Sequence, residues 1–186
     1  MNKSNPVFSK HKKIFFGPEI ISKLISTDYP MIMVDKVTEF DSSNLTLSAE
    51  RYISANEPVF IGHFPEFKLW PGIYTIEGLS QCCNIFKMLV EVDEKELLPD
   101  LIELQKLFML KPYVDITLHR KILDLLENAN TKNPKKYKIR VKLLNPVFAG
   151  CLMKYRIKLI KGNPTKWMVT STVEGKVVAE GEITHT

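Results

Sequence analysis

Two side chains have the chemistry and the placement for proton transfer, His63 and Glu77. His63 lies in Gly62-His63-Phe64-Pro65, a turn bounded by glycine and proline. Glu77 follows fourteen positions later, beyond a Pro71-Gly72 pair that marks the start of a helix. An imidazole and a carboxyl group presented in this way are the parts of an acid/base site. Each also has a plainer reading. A turn histidine is often merely exposed, and a carboxylate near a helix N-terminus is favoured by the helix dipole. His11 in a basic segment, His119 in a charged helical stretch and His185 near the last residue illustrate the plainer case, since none has a convincing partner in sequence.

The elements that must position the pair follow from periodicity. Ile76, Leu79, Cys83, Phe86 and Val90 recur at steps of three and four, which predicts a helix from Gly72 onward with one continuous apolar face. A polar stripe of Glu77, Ser80 or Gln81, and Asn84 runs beside it, so Glu77 falls in the second turn. Upstream, Pro18 followed by Ile20, Ile21, Leu24 and Ile25 predicts a short helix. Met31 to Phe40 reads as a strand, Asp41 to Asn44 as a turn, and Leu45 to Ile53 as a second strand with Leu47 and Ala49 on its apolar face.

Downstream, Ile139, Val141 and Leu143 alternate with Lys138, Arg140 and Lys142, and Tyr155, Ile157 and Leu159 alternate with Lys154, Arg156 and Lys158. Both predict half-buried strands. Trp167 to Val173 and Val177 to Ile183 flank Glu174-Gly175-Lys176 and read as a hairpin. Between Glu91 and Pro134 the chain is charged and helical, with Leu97, Leu101 and Leu104 in one piece and Leu118, Ile122, Leu125, Leu126 and Ala129 in another. Pro112 separates them, and Asn128 to Thr131 with Asn133-Pro134 predicts a loop. The order predicts an α+β domain in which an antiparallel sheet wraps one long central helix. Residues 1–17 are expected to be a flexible basic arm, and residues 18–186 one domain with a helical insert at about 92–134.

Composition bounds the rest. At 186 residues, 45% hydrophobic and 25% charged, the chain has the make-up of one folded domain. No apolar run approaches the roughly 20 residues of a membrane span, so a cytoplasmic protein is expected. Cys82, Cys83 and Cys151 fit no metal spacing and read as reduced, buried thiols. A net charge of +5 favours an acidic partner. Nucleic acid is not expected, because no motif with interleaved aromatics accompanies the charge.

The motifs together resemble the β-hydroxyacyl-(acyl carrier protein) dehydratases, a hotdog-fold family. Gly62-His63-Phe64-Pro65, Pro71-Gly72, Ile76-Glu77 and Gln81 carry the resemblance. Tyr29 to Val37 is similar to the family's first-strand segment and Asn56 to Phe60 to its approach to the histidine loop. Asn145 to Gly150 is similar to its RPV-x-x-GD stretch, and Val173 to Ile183 to its closing hairpin.

The resemblance implies that His63 removes the α-proton of a 3-hydroxyacyl thioester and that Glu77 protonates the departing β-hydroxyl. The enolate-like charge that develops needs a donor, and the N–H of Gly72 at the helix N-terminus fits that task. A general acid at neutral pH needs a raised carboxyl pKa, which burial of Glu77 beside Ile73, Ile76 and the acyl chain would supply. Glu77 is therefore expected to be poorly solvated. Phe64, Trp70, Ile73 and Gln81 complete the expected substrate-binding set. No metal and no redox cofactor are implied, the substrate riding on the phosphopantetheine of an acyl carrier protein. The family's composite site further implies a homodimer or an oligomer of dimers, with a heterodimer of two hotdog chains as the alternative.

The chain also departs from the family. Glu66 and Lys68 replace its usual glycine and proline, Trp70 stands where methionine is common, Thr27-Asp28 precedes Tyr29-Pro30 in place of His-Arg, and the 92–134 insert enlarges a short link. Trp70 and the insert are expected either to reshape the acyl tunnel or to be core packing and decoration. The basic rows at 138/140/142 and 154/156/158 are expected either to recruit an acidic carrier protein or to be solvated strand faces, with Glu180 and Glu182 neutralising part of them. Two other functions stay open: a partner subunit lending half a site to a heteromeric dehydratase, and hotdog thioester hydrolysis. Enoyl isomerisation as a second activity is also open.

Overall fold

The computed structural model describes residues 14–110, 120–130 and 136–185. Among these, helix α1 (Pro18–Leu24) precedes strands β1 (Lys36–Asp41) and β2 (Thr46–Ile53), then a 3₁₀ turn (Pro58–Ile61) and the long helix α2 (Gly72–Glu94). Helices α3 (Leu98–Leu110) and α4 (Arg120–Asn130) follow, then β3 (Tyr137–Leu143), β4 (Cys151–Leu159), β5 (Lys166–Val173) and β6 (Lys176–His185). The described strands form one antiparallel sheet in the order β1-β2-β4-β5-β6-β3.

The sheet curls around α2, which touches β2, β4, β5 and β6. Alternation decides which side chains point inward: Leu47, Ala49 and Ile53 from β2, Met153, Tyr155 and Ile157 from β4, and Trp167 and Val169 from β5 are all buried. Each large apolar side chain so buried contributes about 1.5–3 kcal/mol. The turn between β5 and β6 is Glu174-Gly175, both with positive φ (50° and 79°), the backbone that a two-residue hairpin of matching twist requires.

Several expectations are corrected. The helix from Gly72 is buried on more than the one expected face, because Gly78, Ser80, Gln81, Cys82, Ile85, Met88, Leu89 and Val92 are buried along with Leu79, Cys83 and Phe86. The sheet covers one side of it, and α1, α3 and α4 pack against another. Residues 31–35 are not strand; β1 begins at Lys36. β3 is not half-buried: it is an edge strand, with Ile139 and Leu143 exposed. Asn128 to Asn130 belong to α4 rather than to a loop.

The folded unit also reaches further back than Pro18, since Ile14 and Phe16 are buried and Phe16 pairs with Val37. The rest of the expected arm, residues 1–13, lies outside the described residues, as do Pro112, Leu118, His119 and the 131–135 part of the expected loop. The insert begins beyond the end of α2. Its helices present Leu98, Leu101, Leu104, Ile122, Leu123 and Leu126 to the core, and Gln105 accepts a hydrogen bond from the Gly17 N–H at 2.7 Å. Among the described residues no helix is long and apolar enough to cross a membrane.

Candidate active site

His63 is delivered by the 3₁₀ turn. Pro58 supplies the fixed φ at its first position, and the Val59 carbonyl accepts the N–H of His63 at 3.0 Å. The ring is then locked: Nδ1 lies 2.8 Å from the Leu69 carbonyl oxygen. A carbonyl only accepts, so the neutral imidazole carries its proton on Nδ1 and leaves the Nε2 lone pair available as a base. The Phe64 ring stacks on the imidazole with centroids 4.5 Å apart, and Phe67 lies 5.1 Å from Phe64.

Lys68, where the family has proline, spans the loop and donates to the Ala55 carbonyl at 2.9 Å. The 68–70 segment is held by its antiparallel neighbour: Trp70 N–H donates to Val147 O at 2.8 Å, and Ala149 N–H to Lys68 O at 3.0 Å. The Asn145 to Gly150 stretch thus forms the outer wall of the histidine loop.

Gly72 opens α2 directly after Pro71, the N-cap residue, whose extended ψ of 126° turns the chain into the helix. Its N–H has no intrahelical acceptor, as for any first-turn amide. A Cβ at this position would overlap Leu143 Cδ1, so the absence of a side chain keeps the helix end open beside β3. His63, Leu69, Trp70, Gly72 and Thr75 share one cavity of about 330 Å³, closed on its far side by Leu143 to Val147 and Val178. His63 and the first residue of α2 therefore line the same space.

Glu77 is not part of that cavity wall. Gln81 Nε2 donates to Glu77 Oε1 at 2.9 Å and to the Met31 carbonyl at 2.7 Å, while Gln81 Oε1 accepts the Met33 N–H at 2.8 Å. Gln81, only 1% exposed, is thus the bracket that ties the carboxylate to the segment before β1. The expected enclosure of Glu77 is absent within one chain: it is half-buried, and Ile73 is 64% exposed.

Trp70 is 3% exposed, with its ring 6.1 Å from Phe60 and 5.3 Å from Tyr74. It is a core residue that also forms part of the cavity wall. Leu69, Thr75, Leu143 and Val178 were not legible as site residues, because an apolar or small residue in a strand or helix carries no chemical signal. The basic row of β3 stands opposite acid, with Arg140 paired to Glu182 and Lys142 to Glu180 in register. All three cysteines are free, Cys82 and Cys83 buried and Cys151 half-buried. Among the described residues no group of three or more His, Cys, Asp or Glu is gathered to hold a metal.

Comparison with known proteins agrees with this architecture. A family model described as a FabA-like domain matches residues 25–106, which include His63, Gly72, Glu77 and Gln81. The 3-hydroxyacyl-[acyl-carrier-protein] dehydratase FabZ of Clostridioides difficile is 40% identical over 77 residues, 41% of this chain and 54% of that protein. The protein of the same description from a Nitratiruptor species is 27% identical over 165 residues, 88% of this chain and 91% of that protein. The match thus spans about half the length of the Clostridioides relative and nearly all of the Nitratiruptor one. Among solved structures, the dehydratase heterocomplex ApeI:P from Xenorhabdus doucetiae aligns with a TM-score of 0.50 at 11% identity, covering 89% of this chain and 90% of that one. The fold is the hotdog fold. By sequence the chain is similar to the hydroxyacyl-(acyl carrier protein) dehydratases, over residues 25–106 above all.

Proposed function

We propose that the protein dehydrates a 3-hydroxyacyl thioester, carried on the phosphopantetheine of an acyl carrier protein, to the trans-2-enoyl thioester. One observation carries this reading: the Nδ1 bond to Leu69 O leaves the Nε2 lone pair of His63 available as a base, and His63 lines the same cavity as Gly72 at the start of α2. Nε2 takes the α-proton, and the charge passing onto the thioester oxygen is met by the Gly72 N–H with the helix dipole behind it. The Cα–H electrons become the Cα=Cβ bond as the Cβ–O bond breaks. Glu77 completes the loss of water as the general acid, giving a proton to the leaving hydroxyl. The elimination is redox-neutral and calls for no electron acceptor.

Glu77 acts from a second chain in this reading. Its position outside the His63 cavity supports that, and so do the apolar residues left exposed nearby, Phe64, Phe67, Ile73 and Leu143. The outer edge of β3, which has no strand partner among the described residues, gives a second copy a place to pair. Co-expression tests it. His63→Ala and Glu77→Gln should each be inactive alone, while a mixed dimer regains one intact site. Mixed dimers as dead as their parents would sink the cross-subunit site.

The same exposed face would also fit a different hotdog chain, as in a dehydratase heterocomplex of the Xenorhabdus kind. An inactive wild-type chain that becomes active only with such a partner would favour that form. A cytoplasmic setting is supported by the three free thiols.

A further inference from the structure

Arg51, on β2, is a largely enclosed cation, its side chain 13% exposed. Nη1 donates to Asp35 Oδ1 at 2.8 Å and to the Ile32 carbonyl at 3.1 Å. Nη2 donates to Glu57 Oε1 at 2.7 Å. Its Cζ lies 5.8 Å from the centre of the Trp70 ring. A buried charge persists only where it is paired, and here the pairing ties together three segments: the residues before β1, the start of the 3₁₀ turn, and the entry to α2.

Two of those segments are the two ends of the hydrogen bond that sets the His63 tautomer. The donor end runs from Glu57, the cap of the 3₁₀ turn, whose carbonyl accepts Phe60 N–H at 3.1 Å, to Val59 O, which accepts His63 N–H at 3.0 Å. The acceptor end is the Leu69 carbonyl, one peptide before Trp70. Arg51 grips the first through Glu57 and the second through the face of Trp70, and Phe60 lies against Trp70 between them. Asp35 anchors the guanidinium from behind and also accepts the Tyr52 N–H at 2.8 Å.

We propose that Arg51 is a positioning residue for His63, holding the 3₁₀ turn and the Leu69-Trp70 segment at the separation that keeps the imidazole proton on Nδ1. The inference rests on His63 as the base and adds to that reading a residue that need not touch substrate. A merely structural ion pair would lower stability when removed and leave the imidazole of the folded protein unchanged.

Nitrogen NMR of the full chain labelled at histidine separates the two. The spectra would be taken near pH 8, where an ordinary imidazole is neutral, with His63 assigned through His63→Ala. The wild type should show the Nδ1–H form of His63. In Arg51→Met the Nε2–H form should rise to a comparable population and kcat on a 3-hydroxyacyl thioester should fall about tenfold or more, with KM within about twofold. Arg51→Lys, which keeps the charge but not the two-sided fork, should recover part of both. If Arg51→Met does not fold, Glu57→Gln gives the same reading, because it leaves the Arg51–Asp35 pair intact. A folded Arg51→Met or Glu57→Gln chain whose tautomer and kcat match the wild type overturns the proposal. The tautomer needs no substrate, so with a wild-type chain inactive on every hydroxyacyl thioester it decides the role of Arg51 alone, while the dehydratase reading fails separately.

Discussion

The imidazole of His63 and the carbonyl of Leu69 are joined at 2.8 Å across a six-residue loop. That contact orients the imidazole of a turn histidine, since Nδ1 is occupied as a donor and Nε2 keeps its lone pair. The same loop presents Trp70 and Gly72 to the cavity, so base, wall and helix N-terminus are set by a single short segment.

Replacing Gly72 with alanine should separate catalysis from folding. The new Cβ would meet only the far end of the exposed, flexible Leu143 side chain, so stability should change by less than about 1 kcal/mol. The displaced leucine would crowd the amide end of α2, lowering kcat/KM about tenfold. Gly72→Ala combined with Leu143→Ala should regain much of it, as read by steady-state kinetics beside thermal melts.

Gln81→Leu should damage both stability and activity. It removes the acceptor for the buried Met33 N–H and the donor to Met31 O, at a cost of about 1–3 kcal/mol. It also frees Glu77 to turn away. Urea unfolding checks the first effect, and kcat in the folded range checks the second.

Much of this was readable before any coordinates. His63, Pro71-Gly72 and Glu77 stand out by their combination and spacing rather than singly, and the hairpin at Glu174-Gly175 follows from turn chemistry. What escaped did so for physical reasons. α2 is buried nearly all round, because helices of the insert cover a side that an amphipathic pattern assigns to solvent. β3 carries the alternation of a half-buried strand yet lies at the sheet edge, since alternation records which residues are apolar and not what covers them. Arg51 is one charge in the β2 stretch and carries no signal of its own in the sequence. Its role depends on Asp35, Glu57 and Trp70, which only the fold brings together.

Gly78 shows how tightly β4 meets α2. A Cβ there would overlap the buried phenol of Tyr155, so Gly78→Ala should cost about 1–3 kcal/mol by urea unfolding. Tyr155 Oη has no hydrogen-bond partner among the described residues, so Tyr155→Phe alone should be nearly neutral. Added to Gly78→Ala it should restore part of the loss, because the hydroxyl overlap goes while the ring carbon stays close.

Alkaline pH should destabilise the protein. Burial, with the adjacent Cys83 adding to it, raises the Cys82 thiol well above its ordinary value of 9.0, and burial likewise raises the Tyr155 phenol. A raised pKa in the folded state means stability that is fully present below the unfolded value and is lost as pH rises from there through the folded value. The melting temperature should therefore be flat near neutrality and fall above about pH 9, with a shallower fall in Cys82→Ala. A melting temperature level to about pH 10 and beyond would contradict the burial of these groups.

The most direct test is loss of water from a 3-hydroxyacyl thioester on holo acyl carrier protein, followed by mass spectrometry for purified wild type and the His63→Ala/Glu77→Gln double variant. The wild type should convert substrate to the enoyl thioester, and the double variant, still folded, should be slower by about a thousandfold or more. Wild-type protein that leaves the hydroxyacyl group unchanged, or a double variant that turns over at the wild-type rate, would contradict the account.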